Sequence, residues 1–114
     1  MTNVVFTRTP DALILSCHGH ACYAEYGKDI VCAGISALCM ALAQGLRLMD
    51  EQGLLTEHFC EYSDGYFRAA VSGKQNAAVR TVFETVYAGL CAVQDEYPEN
   101  ISCRKENSKK GVKV

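Results

Sequence analysis

The chain has 114 residues, 49% of them hydrophobic and 21% charged, with a formal net charge of −2. That length gives one domain a real core and leaves no room for a second. The composition excludes a disordered or fibrous chain, and the net charge excludes strong nucleic-acid binding through bulk electrostatics.

Charge is unevenly placed. From Arg104 to Val114, Arg104, Lys105, Lys109, Lys110 and Lys113 stand against Glu106, a local +4 that leaves −6 on the rest. Seven cysteines, at positions 17, 22, 32, 39, 60, 91 and 103, contain no Cys-x-x-Cys pair. The Met-Thr-Asn start has no basic segment ahead of an apolar run, so no secretory signal is expected. A domain of this size does not need a disulfide framework, and the thiols are expected free in a reducing cytoplasm. The charge-free stretch 30–43 is shorter than the ~20 residues a bilayer span needs, so no membrane association is expected.

Val4-Val5-Phe6-Thr7 is β-branched and aromatic, and Thr9-Pro10-Asp11 supplies turn residues. Ala12 to Cys17 then alternates, with Leu13, Leu15 and Cys17 on one face, which predicts a hairpin. Residues 19–28 form a loop bounded by Gly19 and Gly27, with Tyr23, Glu25 and Tyr26 inside it. Asp29 is a good N-cap for a helix to about Gln52, with Gly53 as its C-terminal stop. From Ile30 to Ala43 that helix is apolar all round, which predicts either a central place on a sheet or a subunit interface.

Glu57 to Tyr62 alternates, Ser63-Asp64-Gly65 is a hairpin turn, and Tyr66 to Val71 alternates again. A second helix is predicted from about Gln75 to Glu96, with Val79, Val82, Phe83, Val86, Leu90 and Val93 at 3.6-residue spacing. Pro98 ends it, Asn100 to Arg104 forms a last strand, and the Lys-rich remainder reads as a frayed tail. The expected fold is α+β, order β-β-α-β-β-α-β, an antiparallel sheet of about five strands covered by two helices. The domain is placed at 1–104 and a flexible basic tail at 105–114.

Chemistry concentrates between the first strand pair and the first helix. Counting from Asp29, Cys32 is the third helical residue, inside the field of the helix N-terminus, which favours thiolate over thiol. The same terminal amides suit a developing oxyanion. Asp29 and Ser36, three before and four after Cys32, share its helix face and are placed to orient an imidazole or meet substrate. The competing reading is a buried cysteine packing as a small hydrophobe, which fits Cys39, Cys60, Cys91 and Cys103 better because they fall within element interiors. His20, entering the loop, is the candidate general base, with His18 in reserve. His58 reads as a surface or half-buried strand residue. Zinc would need paired ligands; Cys17 and His18 point to opposite strand faces, and no metal or cofactor is expected.

Gly19-His20-Ala21, a glycine-bearing loop, and Gly27-Lys28-Asp29-Ile30-Val31-Cys32-Ala33-Gly34-Ile35-Ser36 together resemble the ribosomal-processing cysteine protease family (Prp). The resemblance implies a cytoplasmic, homodimeric endopeptidase of Firmicute-type bacteria. Its substrate would be a short N-terminal extension on the large-subunit ribosomal protein numbered twenty-seven. Family substrates have an apolar segment with aromatic residues before the cut and a small residue after it. Cys32 would be the nucleophile, His20 its base, and Asp29 and Ser36 supporting residues. Residues 19–27, with Gly19, Tyr23, Tyr26 and Gly27, would form the substrate loop. Two other classes fit the same residues: a non-catalytic ribosome-associated binding module of this fold, and a thiol redox or metal protein using the cysteine excess.

Overall fold

The computed structural model describes residues 1–74 and 76–108. Five strands and two helices follow in the order β1 (Thr2–Thr9), β2 (Ala12–His18), α1 (Ile30–Glu51), β3 (Glu57–Ser63), β4 (Tyr66–Ser72), α2 (Ala77–Glu96) and β5 (Ile101–Asn107). The fold is α+β, in the predicted element order, and the strands form one sheet in the order β3-β4-β2-β1-β5.

Local chemistry sets each boundary. At the β1–β2 turn, Thr9 Oγ1 donates to Asp11 Oδ1 at 3.0 Å and accepts from the Asp11 amide at 3.3 Å. Val4 then pairs with Cys17 and Phe6 with Leu15, which puts the apolar residues of both strands on one face. The Asp29 carboxylate caps α1, and Gly53, in the left-handed region at φ +73, lets the chain leave it. Asn76 caps α2 by accepting from the Val79 amide at 2.9 Å. The second helix therefore begins at Ala77, later than predicted, because a side-chain acceptor stands there; Gln75 itself lies outside the described residues.

Two features of β5 differ from expectation. It pairs parallel with β1, Thr2 opposite Ile101, while the other three pairs are antiparallel. The chain returns from β4 through α2, and such a crossover delivers a strand parallel to β4 and hence to β1. The strand also runs to Asn107, so Lys105, Glu106 and Asn107 belong to the sheet and not to a tail. Lys105 Nζ lies 5.4 Å from the Phe6 ring centre and 2.8 Å from Glu84 Oε2. Arg8 Nη1 reaches the same carboxylate at 2.8 Å. Charge in that segment looked like solvation, but the Lys105 ammonium stands over the ring of an aromatic core residue. The remainder of the predicted tail, 109–114, lies outside the described residues.

One core holds the layers together. Val4, Phe6, Leu13, Leu15, Phe67, Ala69, Val71 and Ile101 of the sheet meet Leu42 and Leu46 of α1 and Val79, Phe83 and Leu90 of α2. Each fully buried large side chain contributes roughly 1.5–3 kcal/mol of hydrophobic stabilisation. The helices approach closely at glycines: a Cβ on Gly89 would stand 3.0 Å from Leu38 Cδ2, and one on Gly45 3.3 Å from Val82 Cγ1. By length and composition α1 is sufficient to cross a membrane. In this fold Val31, Ile35, Cys39, Leu42, Leu46 and Met49 face the core instead. Its other face is open: Ala33, Ala37, Met40, Ala41 and Leu48 are exposed, so the helix does not occupy a central, doubly covered position.

Candidate active site

The site begins where β2 stops. Cys17 faces the core and His18 the opposite side, where its ring meets the edge of Tyr66 at 5.1 Å. Continued extension would keep His20 on the side of His18. Gly19 prevents that by adopting φ +92, a left-handed conformation that suits glycine. A Cβ there would also press to 2.5 Å from the Met1 carbonyl oxygen. The turned residue is held from two sides, its amide donating to Gly65 O at 2.8 Å and its carbonyl accepting from Thr2 Oγ1 at 3.2 Å. His20 and His18 therefore part company, and only His20 enters the cleft.

The β3–β4 turn receives the imidazole. Gly65 has φ +70, and a Cβ on it would stand 2.9 Å from His20 Nε2. The neighbouring Asp64 places Oδ2 3.7 Å from the same nitrogen. The sequence marked Ser63-Asp64-Gly65 only as a turn; its partnership with His20 depends on β2 and β4 being neighbours, which spacing does not reveal.

Residues 19–28 are tied at several points. Ala21 is buried, and its carbonyl accepts from Asn100 Nδ2 at 3.0 Å. Tyr23 packs edge-on against Tyr97 at 5.3 Å. Tyr26 is fully exposed at the cleft mouth, so the two loop tyrosines are placed differently. Cys22 is in the left-handed region at φ 56.

Asp29 joins this loop to the helix. Its Oδ1 accepts from the Cys32 amide at 2.8 Å, while Oδ2 accepts from the amides of Tyr23 at 2.9 Å and Ala24 at 3.4 Å. Desolvation works against the anion, but these amides outweigh it and hold the Asp29 carboxyl below its usual range. The carboxylate beside His20 is that of Asp64, while Asp29 is engaged with backbone. The Cys32 amide is taken by this cap, and the Ala33 amide bonds Asp29 O at 3.1 Å. What α1 offers an oxyanion is thus the positive field of its terminus more than these two donors.

Cys32, half-buried, and His20 line a single cleft of about 310 Å³. Ser36, one turn beyond Cys32, lines it too, as do Gly19 and Tyr26; Tyr23 and Gly27 do not. Cys17, Ile35, Cys39 and Phe67 give it an apolar floor, and Met40, Tyr62 and Tyr66 an aromatic and apolar wall. His58 stands apart, exposed on β3, with Nε2 3.9 Å from Asp50 Oδ2.

A thiol in the first turn of a helix and an imidazole across a peptide-sized cleft define the chemistry of a cysteine peptidase. A family model described as cysteine protease Prp matches residues 1–102. The ribosomal processing cysteine protease Prp of Staphylococcus aureus is 34% identical over 86 residues, covering 73% of this chain and 76% of that protein. The solved S. aureus Prp with a covalently linked product peptide superposes with a TM-score of 0.73 at 29% identity, over 93% of this chain and all of the other. A second S. aureus Prp structure, with a substrate peptide, gives 0.69 at 28% identity over the same shares. A Streptococcus mutans protein shares the fold, with a TM-score of 0.70 at 24% identity over 95% of this chain and 96% of that one. The chain belongs to the Prp family of ribosomal-processing cysteine proteases, and it is an enzyme of that class.

Proposed function

We propose that Cys32 is the nucleophile and His20 its acid–base partner in removing an N-terminal extension from the large-subunit ribosomal protein numbered twenty-seven. The observation that carries this reading is the convergence of Cys32 and His20, twelve residues apart in sequence, on one cleft. The Cys32 thiolate attacks the scissile carbonyl carbon, and the positive end of α1 stabilises both the anionic sulfur and the oxyanion. The imidazolium of His20 protonates the leaving amine. His20 then takes a proton from water, which hydrolyses the thioester and frees the sulfur. Ser36 and Tyr26 line the path of the peptide, and the floor of Ile35 and Phe67 suits apolar side chains before the cut.

The relatives support a peptide substrate, since S. aureus Prp has been solved with a substrate peptide and with a covalently linked product peptide. Mass spectrometry of the ribosomal precursor before and after incubation tests the proposal. Loss of the extension with wild-type protein and none with Cys32→Ala is expected; undiminished cleavage by Cys32→Ala would refute it.

The exposed apolar face of α1 supports a second element, a homodimer that covers Ala37, Met40, Ala41 and Leu48. Light scattering at micromolar concentration is expected to give twice the 12.5 kDa chain mass; a monomer mass would overturn it.

A further inference from the structure

Beneath the reacting pair lies a second pair of thiols that the peptidase chemistry does not use. Cys17 and Cys39 are both buried, on β2 and α1, and their sulfurs stand 3.6 Å apart. Both line the floor of the cleft that holds Cys32 and His20. We propose that Cys17 and Cys39 form a reversible oxidation site, converted by a peroxide into a disulfide that ties β2 to α1 under the cleft.

The geometry favours this pair. A disulfide needs its sulfurs at about 2.05 Å, so a closure of about 1.5 Å is required of side chains already in contact. Cys39 lies seven residues beyond Cys32, about 10 Å along the helix axis, so the nucleophile itself is out of direct bonding reach. The cleft brings a small oxidant to sulfurs otherwise sealed in the core. The two sulfurs share a hydrogen bond in which either thiol can donate, so either can meet the oxidant first.

The chemistry closes. One thiolate of the pair attacks a peroxide oxygen, the O–O bond breaks, and the leaving hydroxide takes a proton to become water. The other sulfur then displaces that oxygen from the sulfenic acid, forming S–S and releasing a second water with the remaining thiol proton. Two electrons pass from the two thiols to the peroxide. A dithiol reductant reverses the bond by exchange. The tie would link the strand end three residues before His20 to the helix that carries Cys32.

Other thiols provide the internal controls. Cys22 is exposed on the loop, Cys60 is half-buried, and Cys91 and Cys103 neighbour each other on α2 and β5, away from the cleft. The test uses full-length Cys32→Ser protein, which removes direct oxidation of the nucleophile and makes the outcome independent of peptidase activity. After titration with one equivalent of hydrogen peroxide, two of the six remaining thiols should be lost and then recovered with dithiothreitol. Peptide mapping should join the segments containing Cys17 and Cys39. The same treatment of Cys32→Ser/Cys39→Ala, and separately of Cys32→Ser/Cys17→Ala, should yield no such link. Because the link is read in the parent protein, a folding failure in either double variant leaves the test standing. A link confined to Cys91 and Cys103, oxidation of Cys22 alone, or irreversible sulfinic acid at Cys17 or Cys39 would overturn the proposal.

Discussion

The ring of His20 rests where a side chain on Gly65 would have to be: a Cβ there would stand 2.9 Å from Nε2. The glycine thus serves two demands at once, a left-handed φ of +70 for the turn and space for the imidazole. Gly65→Ala is expected to displace His20 and lower kcat by about 100-fold, since ångström misplacement of a reacting group has effects of that order. The thermal midpoint should fall by only a few degrees, for a left-handed alanine costs of order 1 kcal/mol. Peptide hydrolysis and thermal unfolding of the same sample separate the two effects.

Asp29 latches the loop to the helix, and Asp29→Ala should destabilise the protein by about 1 kcal/mol, the usual worth of an N-cap. The sign with pH follows from its lowered carboxyl. A group with a depressed folded value contributes its full stability above its ordinary value of 3.8 and loses it as pH falls through the lower folded value. Chemical denaturation should therefore show wild type and Asp29→Asn differing at neutral pH and converging in acid below that range.

The loop tyrosines should separate stability from binding. Tyr23→Ala removes the ring contact with Tyr97 and should lower the thermal midpoint and raise loop amide exchange. Tyr26→Ala, at a side chain that is fully exposed at the cleft mouth, should leave the midpoint unchanged and raise KM for an aromatic peptide. Steady-state kinetics beside thermal melts check both.

Glu84 gathers Arg8 and Lys105 across α2, β1 and β5. Burial opposes its charge, yet the bonds to Lys105 and Arg8 prevail and hold its carboxyl low. All three side chains are about one third exposed or more, so solvent screening keeps the effect of Glu84→Gln to about 1 kcal/mol or less. The deficit should shrink with added salt and below the ordinary carboxylate range.

Much of the architecture was legible in the chain because its signals are local. Asp29 before an apolar run, Leu13 and Leu15 in alternation, and Asp64-Gly65 between two alternating stretches each specify their element within a few residues. The element order was readable from the same signals, and the structure brings Cys32, Ser36 and His20 to one cleft. What escaped depends on residues far apart in sequence. The parallel placement of β5 follows from a crossover, and Lys105 looked solvated until Phe6 lay beneath it. Alternation places His18 and His20 on one side of an extended strand, and a single left-handed residue at Gly19 separates them. Asp64 beside His20 required β4 to neighbour β2, and the contact of Cys17 with Cys39 required α1 to lie over that strand.

The bond from Asn100 to the Ala21 carbonyl spans 79 residues, and the Thr2 amide donates to Asn100 O at 3.0 Å. Contacts of such sequence separation cost more loop-closure entropy than local ones and need both ends of the chain to have been made. During synthesis the His20 loop thus has its nearest anchors, β1 and β2, long before its final clasp exists. The clasp on the Ala21 carbonyl is complete only once Asn100 has been made, and Asn100→Ala should loosen the His20 loop while the bonds of Asp29 to the Tyr23 and Ala24 amides persist.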